Sequence, residues 1–244
     1  MQLERLKTDV LNLLKCKNIM KNKIITLLLG ILAMTAINAQ NDCSKFYPLK
    51  EGTKFQITSY GKKDKLAAVI DYMVNESSGN AATLSYQMYD EKGKLMLTSE
   101  YGMKCENDGI SIDFKSLAAP GILNQYKDME VDIKGTNLIL PNSLNVGQTL
   151  PDADMFMTVN IVPIALKLSA KIFNRKVEGK ETITTSAGTF ECFVTTYNHE
   201  SKMGIKFSGT AKQWLALGIG LVQQIDYNKK GEIISKSVLT KFEK

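Results

Sequence analysis

Beyond residue 50 the chain alternates apolar and polar residues. That period of two is compatible with a sheet and with little else. "KFQITSY" places Phe55, Ile57 and Ser59 on one side and Lys54, Gln56 and Thr58 on the other. "TLSYQMY" sets Leu84, Tyr86 and Met88 against Ser85, Gln87 and Tyr89. "LMLTSEYGMKC", "TFECFVTTY" and "VLTKF" continue the habit with β-branched and aromatic residues, which pack well on a pleated surface.

The reversals between these strands are written as plainly. "YGKKDKL", "YDEKGKL" and "YNKKGEI" (60–66, 89–95 and 227–233) each run from a Tyr through a short polar turn to a restarting apolar residue. In the last two, Asp90 or Asn228 opens the turn and Gly93 or Gly231 can take a positive φ. "NESSGN", "CENDG", "KGTN" and "TSAGT" mark further turns. Consecutive hairpins pair neighbours in sequence, so the expected fold is an all-β antiparallel meander: a strongly curved sheet, half-barrel or open barrel. It is interrupted by one short helix near 117–126, where "SLAAPGILNQY" loses the alternation, Pro120 suits a first helical turn, and Leu117, Ile122, Leu123 and Tyr126 form a stripe.

"DMFMTVNIVPIALKLSAKIF" needs a break. Met155, Met157, Val159 and Ile161 share one parity; Ile164, Leu166, Leu168, Ala170 and Ile172 share the other. One continuous strand would flip its apolar face at Pro163, which also lacks a ladder donor, so Pro163 should separate two strands.

The N-terminus reads as an address. Lys21-Asn22-Lys23, an apolar run from Ile24 to Ile37 and then Asn38-Ala39-Gln40 have the tripartite layout of a cleaved signal peptide. The run is short of the ~20 residues that cross a bilayer. Residues 1–39 are therefore expected to be an N-terminal extension plus signal peptide, cut near Ala39. Residues 40–244 are expected to be a single β-rich domain, periplasmic or secreted. Ahead of the signal, Leu3, Leu6, Val10, Leu13 and Leu14 fall at helical spacing; either this is an amphipathic leader or Met20 is the true start. Of the 31 basic and 25 acidic residues, the first 39 positions hold six and two, leaving a net charge of only +2 on the rest. That argues against a nucleic-acid partner, and membrane contact is expected only through the signal peptide.

Export implies an oxidising compartment. Cys43 lacks the small residue before it, and the aliphatic residue three before it, of a lipid-anchor signal. With Cys105 and Cys192 the mature chain has an odd count, so it holds either one bridge and a leftover thiol or no bridge. Cys43 and Cys105 sit in polar, turn-like settings and are the expected disulfide; Cys192, inside "TFECFV", is expected to be a buried thiol.

Catalytic and metal-binding patterns are sparse. His199 is the single histidine, with no second histidine to build a zinc site or a Ser-His pair, and is expected to be solvated. Asp152 and Asp154 lack a calcium-loop pattern. Gly218 and Gly220 in "LALGIGLV" have neither the third glycine nor the Lys-Ser/Thr of a phosphate loop, so a tight turn or bulge is expected. No catalytic residue, metal or cofactor is assigned.

"KGTNLILPNSLNVGQTLPDA", "NRKVEGKETITTSAGTFECFVTTY" and "WLALGIGLVQQIDYNKKGEI", together with the export signal and Cys43, resemble the TapB-like family of exported bacterial proteins, a domain of unknown function. The resemblance covers nearly all of the mature chain, and "SAGTFECF" and W-x-A-x-G-I-G-x-V are its most telling pieces. It implies a secreted or periplasmic β-domain and carries no catalytic residues. At fold level the pattern is also similar to the half-barrels of bacterial lipoprotein carriers, which says nothing of function.

Three functions compete. The first is a non-catalytic binding module for an apolar small molecule or lipid-like ligand, with Met155, Met157, Leu166, Leu168 and Trp214 lining a concavity. The second is a structural or interaction component of the envelope, with a protein partner on an exposed patch or sheet edge. The third, an enzyme, would require convergent polar groups in a cleft.

Overall fold

The period-two segments become fourteen strands of one sheet, every pairing antiparallel, in a computed structural model that describes residues 44–106, 108–118, 125–126, 128–161 and 164–243. All of these belong to one compact unit, Asp42–Lys244. The signal peptide, the cleavage position near Ala39 and Cys43 lie outside the described residues, and so does the Cys43–Cys105 pairing. Cys192 is a buried free thiol, its pKa raised to about 11 chiefly by burial.

The strands are β1 (Lys54–Tyr60), β2 (Leu66–Ser78), β3 (Ala81–Tyr89), β4 (Leu95–Glu106), β5 (Gly109–Ile112), β6 (Glu130–Thr136), β7 (Leu138–Pro141), β8 (Thr149–Leu150), β9 (Ala153–Ile161), β10 (Ile164–Thr185), β11 (Gly188–Met203), β12 (Ile205–Ala216), β13 (Gly220–Asn228) and β14 (Ile233–Glu243). Around the sheet they run β6-β9-β10-β11-β12-β13-β14-β1-β2-β3-β4-β5-β7, with β8 added to β10. The two outermost strands, β6 and β7, are consecutive in the chain, joined by the single residue Asn137. A sheet whose first and last strands are one residue apart must roll up. The result is a nearly closed barrel with one seam, tighter than a half-barrel.

β9 and β10 flank Pro163 as an antiparallel pair in which Leu168 faces Met157 and Leu166 faces Val159, so the parity change keeps one apolar face continuous. The Asp90 and Asn228 turns are near copies. Asp90 Oδ1 accepts from Lys92 N and Lys94 N (2.9 and 2.8 Å); Asn228 Oδ1 accepts from Lys230 N and Glu232 N (2.9 and 3.0 Å). Gly93 and Gly231 sit at φ +78° and +77°. In the 117–126 interruption the described helical structure is a 3-10 turn, Phe114–Leu117, begun by Asp113 accepting from Lys115 N, and the helical residue Gln125. Residues 119–124 of the expected helix lie outside the described residues. His199 lies within β11 rather than in a loop, with Nε2 buried beside Gly209 and unpaired among the described residues.

Three apolar clusters result. The first fills the barrel: Val74, Leu84, Met103, Ile110, Leu140, Leu150, Val177 and Leu215, with Phe46 from the N-terminal arm edge-on to Phe193 at 5.7 Å. On the same face a ladder of rings crosses four strands: Phe55 stacks on Tyr72 (4.8 Å), Tyr72 meets Tyr86 (5.6 Å), and Tyr86 meets Tyr101 (6.3 Å). The second covers β6, β9 and β10 with Phe114, Leu117 and Tyr126. The third is made by Phe190, Cys192, Val194, Trp214, Ala216, Ile219 and Val222, on the sheet face opposite Phe193 and Leu215. It is closed where the far end of the β10–β11 hairpin reaches β14, Ser186 Oγ donating to Thr240 O (2.9 Å). Gly218 and Gly220 form the tight β12–β13 turn, as expected, and they also seat the arm. Gly218 N donates to Lys45 O (2.7 Å), and a Cβ on Gly220 would lie 2.9 Å from the Tyr47 ring.

The seam is held by polar side chains. Asn137 Oδ1 accepts from Phe114 N (3.0 Å), and its Nδ2 donates to the hydroxyl of buried Ser111 (2.9 Å). Gly135 lets Phe114 lie against the β6 backbone, where any Cβ would collide with Asp154 O and that ring. From β10, Arg175 spans to the far edge: Nη1 donates to Ile139 O on β7 (2.9 Å) and to Pro151 O (2.5 Å). A bulge turns Arg175 inward. Asn174 takes φ +54° there, a conformation asparagine tolerates, and its N–H donates to Asp152 Oδ1. Burial lowers the Arg175 pKa to about 10, partly offset by Tyr47, Tyr197 and Asp152.

These contacts predict that Asn137→Ala, which leaves the buried Ser111 hydroxyl and the first N–H of the 3-10 turn short of a partner, destabilises by about 1–3 kcal/mol in urea titration. Gly135→Ala should cost at least as much, because backbone must shift. The interior also sets alkaline behaviour. Burial raises the pKa of Tyr47, Tyr72, Tyr101 and Tyr197 above the ordinary value of 10.0. Above that pH the unfolded chain gives up phenolic protons that the folded chain keeps, so stability present below pH 10 is lost as pH rises. Arg175 acts oppositely, adding stability between about 10 and its ordinary 12.5, but it is one group against four. Melting temperature should fall steeply above pH 10, with the tyrosinate absorbance of these four residues appearing as the protein unfolds.

Candidate interaction surface

In an antiparallel meander alternate turns lie at the same end of the strands. The turns β11–β12, β13–β14, β1–β2 and β3–β4 therefore share one end of the barrel, as the pairings of Tyr60 with Lys236 and Val69 with Tyr89 require. Neighbouring hairpins stand about 10 Å apart, two strand spacings. These four tips are the stretches 61–66, 90–96, 202–207 and 228–233.

Their chemistry differs from that of the rest of the domain. They carry nine lysines against four carboxylates, whereas the remainder of residues 44–243 carries fifteen bases against eighteen acids. A domain with almost no net charge is thus polarised, positive at the hairpin end. Only one of these lysines has a close carboxylate partner among the described residues: Lys206, 2.8 Å from Glu200, which it holds below the usual carboxylate range.

The same tips expose apolar side chains. Of the twelve large hydrophobic residues exposed among the described residues, seven are here. Leu66 follows the first lysine turn, Leu95 and Met96 the second, and Ile233 the third. The β11–β12 tip presents Met203, Ile205 and Phe207, the last two 69% and 59% exposed. β12 overhangs here: its pairing with β13 begins only at Gly209, so among the described residues Ile205–Ser208 has no strand partner on that side. Met203 pairs with both Leu168 and Ile205, which makes this exposed face an extension of the buried Met157–Leu168 row. Between the β1–β2 and β13–β14 tips is a depression of about 550 Å³ bordered by Ile225 and Ile233, by Lys62, Lys63 and Lys236, and by the carboxylates Asp64 and Glu232.

The residues proposed from sequence as a ligand lining are placed elsewhere and are divided. Met155, Met157 and Leu168 are buried in the second cluster, with Leu166 packed at its margin. Trp214 is in the third cluster, its Nε1 donating to Glu181 Oε2 (2.7 Å) with Lys212 Nζ 4.8 Å above its ring; the Trp214 and then the Lys212 hydrogen bond hold Glu181 below the ordinary value. A trough of about 440 Å³ crosses β1 to β3, bordered by outward polar residues such as Gln56, Asp71 and Gln87. Among the described residues no cluster of three or more His, Cys, Asp or Glu is placed to hold a metal. Sequence reading treated each tip only as a turn. The signal it passed over was the repetition of lysines followed by Leu or Ile at three of the reversals on one end, 62–66, 92–95 and 229–233.

The family pattern that matches is the DUF3108-like one, over residues 50–239. The chain belongs to the DUF3108-like family. The TapB-like name that the sequence suggested is not the one that matches. Two crystal structures share the fold. One is a Bacteroides fragilis NCTC 9343 protein described as exported and of YmcC-like fold (24% identity, TM-score 0.67). The other is from Parabacteroides distasonis ATCC 8503 and described as a lipoprotein (25% identity, TM-score 0.67). In each case 83% of this chain aligns with the whole of the other. No curated protein matches.

The tips of this DUF3108-like domain should fold independently of their exposed side chains but not of their Asx residues. Asn228→Ala, which removes the acceptor for two backbone N–H groups, is expected to lower stability by about 1 kcal/mol. Ile205→Asp with Phe207→Asp should leave the urea midpoint nearly unchanged, since both side chains are mostly exposed.

Proposed function

We propose that the domain is a non-catalytic binding module of the cell envelope whose working surface is the hairpin end of the barrel. The observation that carries this is the concentration of exposed apolar residues and lysines on the tips at that one end. Contiguous exposed apolar surface rimmed by charge marks an interaction site on a soluble domain. The export signal and the descriptions of the two fold relatives as exported and as a lipoprotein support an envelope or secreted location. Of the functions weighed from sequence, envelope interaction is favoured over an apolar ligand in the interior, because the interior candidates are committed to packing.

The test is sedimentation of the purified exported protein with a washed envelope fraction from its host. The wild-type protein should pellet with the envelope. Ile205→Asp with Phe207→Asp should need at least about tenfold more envelope to reach half-pelleting, a tenfold loss of affinity. Equal pelleting of wild type and variant would refute the reading.

A further inference from the structure

We infer that the partner of the hairpin end is an anionic lipid surface, on which the barrel stands by its tips without spanning it. This rests on the reading above and names its partner. It also departs from the sequence expectation that membrane contact is confined to the signal peptide.

Three observations converge. The first is charge: the four tips carry a surplus of five positive charges, while the rest of residues 44–243 carries a surplus of three negative charges. Near an anionic surface such a domain is oriented as well as attracted, because its tip end is drawn in and its body is repelled.

The second is the interleaving of residue types. Lys62, Lys63 and Lys65 precede Leu66; Lys92 and Lys94 precede Leu95 and Met96; Lys229 and Lys230 precede Ile233. A lysine stem lies along apolar surface with its ammonium at phosphate level, and the apolar residue enters the boundary below. A folded protein partner would be recognised by one shaped patch. Here the same pair of chemistries recurs on separate tips about 10 Å apart, as a laterally uniform partner requires.

The third is geometry. Ile205 and Phe207 project from the β12 overhang, on the same strand face as Met203. The overhang is four residues long, which allows about 13 Å of reach beyond the last β12–β13 pair. That exceeds the 5–10 Å to which peripheral elements enter the headgroup boundary. Phe and Met are the adaptable and aromatic types such contacts use.

The experiment uses the exported protein and lipid vesicles without protein: one set of phosphatidylcholine alone, one of phosphatidylcholine with about a third phosphatidylglycerol. The expected result is co-sedimentation with the anionic vesicles at least ~10-fold stronger than with the neutral ones, and weaker at high salt. Lys229→Glu with Lys230→Glu, and separately Ile205→Asp with Phe207→Asp, should each reduce it ~10-fold or more while circular dichroism and the urea midpoint stay those of the wild type. Equal binding to both vesicle types, or binding that neither variant weakens, overturns the inference. So does no binding to vesicles at all. If in that last case the Ile205/Phe207 variant is still released from the washed envelope, the hairpin end serves a protein partner and the proposed function stands; if it is not released, both fall.

Discussion

The fold depends on one constraint: the first and last strands of the sheet are a single residue apart, so the open edges must meet. Backbone hydrogen bonding does not complete the circle among the described residues: β6 pairs with β9 and β7 with β5, and the two end strands are not paired with each other. Closure falls to side chains. Asn137 bridges Ser111 and the start of the 3-10 turn, and Arg175 reaches from β10 to a β7 carbonyl. A guanidinium suits the second task, since it donates to more than one carbonyl in fixed directions and stays charged when buried. Its charge is costly to desolvate, which shows in its lowered pKa, and the two short hydrogen bonds offset part of that cost. The tyrosines around it keep their protons for the same reason. The polar interior is thus a consequence of how the barrel shuts.

What was legible in sequence was local. Alternation located the strands. Asp90, Asn228 and their glycines specified turns that the structure repeats almost bond for bond, and Pro163 announced a reversal through a change of parity. The seam was not legible, because it depends on which strands end up far apart in sequence and adjacent in space. Nothing in "NRK" says that Arg175 turns inward. That follows from the Asn174 bulge, which shifts the register by one and sends the next side chain to the other face. The same limit explains the proposed lining. Met155 and Leu168 share an apolar face, as expected, but parity cannot say whether such a face looks into a cavity or at Phe114 and Tyr126.

The segments that carry the family resemblance prove to be those that close the structure. "KGTN" supplies Gly135 and Asn137 at the seam. "SAGTFECF" gives Phe190 and Cys192, and W-x-A-x-G-I-G-x-V gives Trp214, Ala216, Ile219 and Val222, and these six make most of the third cluster. The glycines of the second motif also seat the N-terminal arm. Such positions are fixed by contact geometry on several sides, so they identify a fold and are silent about a partner.

The hairpin tips are constrained in the opposite way. A turn of the Asp90 or Asn228 kind requires an Asx acceptor and a glycine in the left-handed region, and leaves its other positions free. Folding does not ask for Lys at those positions, nor for Leu or Ile directly after them, and solubility argues against the latter. Ile205 and Phe207 are more costly still: they lie on an overhanging strand with no strand partner on one side among the described residues, the arrangement that invites edge-to-edge association. Lysines nearby oppose that association in water, but they do not account for the apolar residues they flank. On the proposed reading both halves of the pattern are accounted for together: the end that bears them is covered in use, by something that takes up hydrocarbon and welcomes positive charge.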